Sequence, residues 1–290
     1  MSLHCSTLAA SAADGHRWQV LRCAPAKPIA TLLWLPALGV AARHYQPFAH
    51  ALASAGIAVY LHEWRGNGSS TLRPSRQHDW GYRALLAEDI PASQTLLEMH
   101  DPQLPRVLGG HSLGGQLACC HAALQPAQVA QLWLVASGSP YWRHFPVPMR
   151  YGLPFAYRVL PWLARVQGVL HGRALGFGGT EARSLIADWA RVGRSNRYRA
   201  AATTWDLEHA LGQLTIPISA VSFAHDHFGP VGALHALLEK MPQAHAERRQ
   251  LDDTQLGARS DHFAWMKAPA AVAATLRRSL AGAPPATRTS

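Results

Sequence analysis

The chain of 290 residues predicts an α/β fold, a mostly parallel sheet with helices on both faces. Two observations predict it. Short runs that are apolar throughout alternate with longer stretches of helical spacing, and an unbroken apolar run is the pattern of a strand buried on both faces. A serine set among glycines, Gly109-Gly110-His111-Ser112-Leu113-Gly114-Gly115, also stands where one such strand must turn into a helix.

The elements follow in order. Asp14-Gly15 is a hairpin-turn dipeptide, and residues 17–22 after it alternate as a strand that Pro25 and Pro28 end. Residues 29–35 form the first buried strand. Residues 45–55 have helical spacing and stop at Gly56, and 57–61 form the second buried strand. Residues 81–100 read as a helix, 106–110 as the third core strand and 113–124 as the helix after it. Residues 132–136 and 218–223 give the fourth and fifth core strands. A helix over 231–241, a strand over 246–251 and a last helix over 268–280 close the pattern.

Residues 141–205 break the alternation. They are too long for an ordinary connection and read as short helices separated by Pro146, Pro148, Pro154, Pro161, Gly168 and Gly178-Gly179. The expected organisation is a core of residues 1–140 and 206–281, a helical cap insertion over 141–205, and a disordered tail over 282–290.

Composition narrows the function. With 48% hydrophobic residues the chain can bury one large core and an inserted cap. Its formal charge of +10 comes from 24 Arg and 3 Lys, an imbalance that points to base-composition bias. With no lysine-rich run, no nucleic-acid partner is expected. No apolar run approaches the ~20 residues of a membrane helix, so stable membrane insertion is not expected. The start of the chain lacks a signal-peptide pattern. Four cysteines do not make a disulfide framework at this length. A reducing, cytoplasmic location is the expectation from these features.

The serine motif has a physical rationale. A nucleophile at a sharp strand-to-helix turn needs small residues two before and two after it, here Gly110 and Gly114. The turn lifts the hydroxyl above the sheet edge and sets it over a helix N-terminus, where the Leu113 N–H can hold a negative oxygen. The pattern has neither the Lys-Ser/Thr of a phosphate loop nor the G-x-G-x-x-G spacing.

From here the chain resembles the α/β-hydrolase superfamily, over roughly residues 10–280. Leu35-Pro36-Ala37-Leu38-Gly39 stands where these proteins carry His-Gly-x-Gly. The resemblance implies that the Leu38 N–H completes the oxyanion hole, although Pro36-Ala37 replaces His-Gly. Glu63-Trp64-Arg65-Gly66-Asn67-Gly68-Ser69-Ser70 resembles the family's D-x-R-G-x-G-x-S turn, for which local structure is sufficient reason. Together with His78-Asp79-Trp80-Gly81-Tyr82, these motifs resemble a bacterial subgroup of predicted hydrolases.

The resemblance also implies a chain order of Ser, then Asp or Glu, then His. Asp226 follows the strand over 218–223 and matches the acid, with Asp252 and Asp253 as runners-up. His227, His235, His245 and His262 follow Asp226. His262 lies in a loop before the last helix, matches the base position, and is followed by Phe263. His111 precedes the turn and is expected to pack or hydrogen-bond. His225 and His227 flank Asp226, but two histidines and one carboxylate are a poor metal set, so neither a metal nor a cofactor is expected.

The insertion carries aromatic and aliphatic residues suited to an apolar small-molecule ester, and most of them are expected in the core of the insertion. Between Tyr141 and Arg199 it has ten arginines against Glu181 and Asp188, too few acids to hold a free amine as an aminopeptidase cap would. The expected function is a serine hydrolase cutting a carboxylic ester through Ser112, Asp226 and His262. Acyl transfer on the same triad and a non-catalytic ligand-binding role are the alternatives. Oligomeric state has no signature in the sequence.

Overall fold

The computed structural model describes residues 2–281, so the expected tail lies outside the described residues. Ten strands lie among the described residues: β1 (Leu3–Ser11), β2 (Arg17–Pro25), β3 (Ala30–Leu35), β4 (Ile57–Leu61), β5 (Arg106–His111), β6 (Gln131–Val135), β7 (Leu170–His171), β8 (Thr180–Glu181), β9 (Ile218–Phe223) and β10 (Ala246–Leu251). Eight form one sheet in the order β1-β2-β4-β3-β5-β6-β9-β10, while β7 and β8 make a separate antiparallel ribbon. The β1–β2 and β2–β4 pairings are antiparallel and all others in the sheet are parallel.

The unbroken apolar strands have a direct structural meaning. Successive side chains of a strand point to opposite faces, so β3 sends Leu33 and Leu35 into one core layer and Leu32 and Trp34 into the other. β4 divides likewise, with Ala58 and Tyr60 against Ile57, Val59 and Leu61. Each layer is closed by helices, among them Leu113–Leu124 on one face and Gln46–Ser54 and Ala270–Ala281 on the other.

Three features depart from the sequence reading. β1 was not expected. It is an edge strand with most side chains in solvent, so it carries no apolar period. Its pairing sets Cys5 directly opposite Cys23, and the two are disulfide-bonded. Cysteine spacing alone cannot show such a pairing, because it depends on the hairpin register. The bond also removes one support for a reducing location. The two sulfurs lie with His50 in the one trio of potential metal ligands among the described residues, and they are bonded to each other.

The third departure is in the insertion. The helix Met149–Gln167 runs through Pro154 and Pro161, which were expected to end helices. Each proline removes one helical hydrogen bond. Packing offsets that loss, because the inner face of the helix buries Tyr157 and Ala164. The β7–β8 ribbon follows, and then the helix Arg183–Ser195. Among the described residues no helix is long and apolar enough to cross a membrane.

Candidate active site

The carboxyl ends of β3, β5, β6, β9 and β10 open on one edge of the sheet, where sites of such folds gather. Ser112 follows β5 and caps the helix Leu113–Leu124. Its backbone is left-handed, at φ 55° and ψ −119°, a conformation costly for a residue with a side chain. Surrounding structure holds it there: the Ser112 N–H donates to the Val135 carbonyl at 3.1 Å, and the Ser112 carbonyl accepts from Gly115 and Gln116. A Cβ on Gly110 would run into the Gly114 and Gly115 backbone, and one on Gly114 into the Leu35 and Pro36 carbonyls. The glycines are therefore required by close approach, as the motif predicts. Leu113 is the first residue of the helix, so its N–H has no intrahelical acceptor.

Asp226 lies in the loop after β9. Its Oδ1 accepts from the N–H groups of Phe228 at 2.9 Å and Gly229 at 2.7 Å. His262 Nδ1 stands 2.8–2.9 Å from both carboxylate oxygens of Asp226. Both side chains are buried. The carboxylate thus fixes the ring so that Nδ1 is the donor and Nε2 is directed elsewhere. His262 and Ser112 line the same cavity of about 280 Å³.

The runner-up acids have other work. Asp252 caps the helix Asp253–Leu256 in a capping box, and Asp253 accepts from the Ser260 N–H and hydroxyl. The exposed His225 lies 3.9 Å from Asp253. His262 also lines a second depression of about 500 Å³, together with His44, His225, His227, Arg259 and Lys267 among others.

His111 is fully buried beside Ser112, and burial drives its pKa well below the ordinary histidine value. The neutral ring is part of a clamp that the sequence did not reveal. The Ala37 N–H donates to the Tyr45 hydroxyl at 2.9 Å, and that hydroxyl is hydrogen-bonded to His111 Nδ1 at 2.8 Å. Trp64 Nε1 donates to the Pro36 carbonyl at 2.8 Å. Residues 36–39, with Leu38 facing the cavity, are thereby held from two sides. A third support comes from the insertion. A Cβ on Gly39 would overlap the backbone of Gly178 and Gly179, so two chain segments meet there with no side chain between them. The Gly179 N–H donates to Glu181 Oε1 at 2.7 Å, and burial lifts the Glu181 carboxyl to about 7. In the sequence, Gly178-Gly179 looks like a helix separator and Tyr45 like the start of a helix. Their roles depend on contacts across more than sixty residues, which local pattern does not carry.

The rest of the cavity is apolar. Phe145, Met149, Leu153, Leu160, Phe177 and Trp189 of the insertion face it, and no Asp or Glu lines it. Glu181 is bonded to the Gly179 N–H. Asp188 accepts from the Tyr82 N–H at 2.9 Å and pairs with Arg191 at 2.5 Å.

Comparisons with known proteins bear on the family and the fold. One relative, named "Putative monoglyceride lipase", from Schizosaccharomyces pombe, is 34% identical over 93 residues, 32% of this chain and 24% of that protein. The chain thus matches about a quarter of the length of that relative. A hydrolase from Pseudomonas aeruginosa PA01 superposes with a TM-score of 0.64 at 17% identity, over 96% of this chain and 98% of its own. DcsB, solved in complex with its substrate analogue, superposes with a TM-score of 0.67 at 14% identity, over 97% and 100% of the two chains. At such identities the two structures speak to the fold, which is that of the α/β hydrolases. The family model described as Serine aminopeptidase, S33 matches residues 26–253, and the chain belongs to that family of α/β hydrolases.

Proposed function

We propose that the protein is a serine hydrolase of carboxylic esters with an apolar acyl group. The observation that carries this reading is the strained Ser112, sharing one cavity with a histidine whose far nitrogen is fixed by a buried aspartate. Ser112 Oγ attacks the ester carbonyl while His262 Nε2 takes its proton. The N–H groups of Leu38 and Leu113 hold the oxyanion. As the tetrahedral intermediate collapses, His262 returns the proton to the departing alcohol and the acyl group stays on Ser112. Water then attacks the acyl-enzyme, with His262 again as base. Asp226 keeps the ring in the required tautomer and stabilises the imidazolium.

Two features favour an ester over a peptide with a free N-terminus. The cavity has no carboxylate to hold an ammonium group, and the two acids of the insertion are bonded elsewhere. The name of the yeast relative points the same way. The apolar wall supplied by residues 145–189 suits the acyl chain, and this segment acts as a cap that excludes water.

Labelling with a fluorophosphonate tests the reading. Wild type is expected to be labelled, and Ser112→Ala and His262→Ala are expected to lose labelling, with ester turnover falling by on the order of 10⁴-fold or more. A folded wild type that resists the probe, or a Ser112→Ala variant that keeps its turnover, overturns the mechanism.

A further inference from the structure

The helix Met149–Gln167 is apolar on two opposite sides. Met149, Leu153, Ala156 and Leu160 face the cavity. On the outer side stand Tyr151, Phe155, Trp162 and Val166, at 71%, 72%, 60% and 51% exposure. Their spacing of four, seven and four residues puts them in one stripe along the helix. Val147, just before the helix, and Leu175, after it, are exposed as well. Six of the ten exposed large apolar side chains among the described residues therefore belong to this one segment. A patch of this kind on a globular protein marks an interaction surface.

The charges beside the stripe indicate what it meets. Residues 142–180 contain Arg143, Arg150, Arg158, Arg165 and Arg173 and no Asp or Glu. Arg158 interrupts the stripe between Phe155 and Trp162, and Arg165 adjoins Val166. A second copy of the chain would bring like charges together across its apolar contact. An anionic lipid surface satisfies both components. Tyr and Trp sit well at the boundary of headgroups and acyl chains, and arginine pairs with headgroup phosphate.

We propose that the outer face of this helix docks the protein on an anionic lipid surface, with the helix lying in the plane of the interface. Charged residues along the helix fit surface attachment, and among the described residues no helix is long and apolar enough to cross a membrane. The inner face of the same helix lines the cavity, so an amphiphilic ester leaving the surface has a short path to Ser112. That consequence rests on the ester-hydrolase reading; the docking does not.

The test is sedimentation of the full chain with large vesicles, either of phosphatidylcholine alone or with roughly one third phosphatidylglycerol. Wild type is expected to co-sediment with the anionic vesicles, less so in high salt, and to stay in solution with phosphatidylcholine alone. Phe155→Glu/Trp162→Glu should lower partitioning by about tenfold or more, and Arg158→Glu/Arg165→Glu should remove the preference for anionic lipid. All four side chains lie outside the cavity lining, so both variants should keep the wild-type melting midpoint and its rate on a short, soluble ester. The proposal is overturned by a wild type that binds neither vesicle, or by a Phe155→Glu/Trp162→Glu variant that binds like wild type. It is also overturned by a wild-type dimer that this variant turns into a monomer, since a second copy would then cover the face. Absence of soluble-ester turnover would count against the hydrolase reading and leave the sedimentation result intact.

Discussion

Among the described residues, two groupings of a serine, a histidine and an aspartate invite comparison, and they differ in what surrounds each serine. The first is Ser112, His262 and Asp226. The second is Ser70, His16 and Asp89: His16 Nε2 lies 2.9 Å from Ser70 Oγ and His16 Nδ1 lies 3.1 Å from Asp89 Oδ1. By side-chain distances alone, the second is the more regular. Yet Ser70 Oγ already accepts from the N–H groups of Gly66 and Leu72 and lies 3.2 Å from the Leu72 carbonyl. Asp89 is gripped at both oxygens by Arg65, at 2.7 and 2.8 Å, and His16 stacks on Trp18. All three members are buried. The lesson is that a nucleophile needs room for a reacting carbon and unspent N–H groups beside it, besides a base within reach. Ser112 has a cavity and a helix start; Ser70 has a saturated oxygen in a core.

Mutating the aspartates separates the two sites most strongly. Asp226→Asn should slow fluorophosphonate labelling on the order of 10³–10⁴-fold while leaving the urea midpoint close to wild type, because Asn can still accept from Phe228 and Gly229. Asp89→Asn removes the bidentate carboxylate that grips the buried Arg65 and leaves it only the half-exposed Asp14. It should cost about 3–5 kcal/mol of stability and leave the labelling rate of the folded fraction unchanged. Equal slowing of labelling by both substitutions would erase the distinction.

The next effect concerns a carboxyl in neither site. Burial lifts Glu181 to about 7, above its ordinary 4.5. The folded state therefore keeps the proton that the unfolded chain has lost, so the contribution of Glu181 is intact below pH 4.5 and drains away as pH rises to about 7. Glu181→Gln should abolish that slope and be the more stable protein at pH 8, by up to about 3 kcal/mol. Urea unfolding of both proteins from pH 4 to 8 measures this, and parallel curves would refute it. The smallest effect is Ser70→Ala. It should lower stability by about 1–3 kcal/mol through the buried groups it leaves unpaired, with labelling unaltered.

What could be read in the sequence divides along a physical line. The turn at Ser112 was legible because its constraint is local: glycines at fixed offsets between an apolar strand and a helix. β3, β4, β9 and the helix Leu113–Leu124 were legible because burial on both faces leaves an unbroken apolar run, or a helical period. Asp226 and His262 could be singled out by chain order, and the structure brings them together. β1 was hidden because it is exposed. The helix Met149–Gln167 was hidden because proline rules describe an isolated helix, whereas tertiary packing carries this one. The exposure of Tyr151, Phe155 and Trp162 was also unreadable, since an aromatic residue in a helical pattern looks the same pointing in or out. The clamp of Tyr45 and Trp64 on residues 36–39, like the His16–Asp89 network, joins distant segments with ordinary side chains and leaves no local mark.

The bare contact of Gly39 with Gly178 and Gly179 has a consequence for timing. If the cap swings away to admit an ester, those backbones part, and the loop that presents Leu38 loses its third support. Admission and activation then belong to different moments. On the proposed hydrolase reading, an open molecule would exchange its contents with half of its anion receptor slack, and would regain full reactivity only when shut around its cargo. Bystander esters that brush the open pocket would then be spared, and discrimination would come from the order of events as well as from affinity.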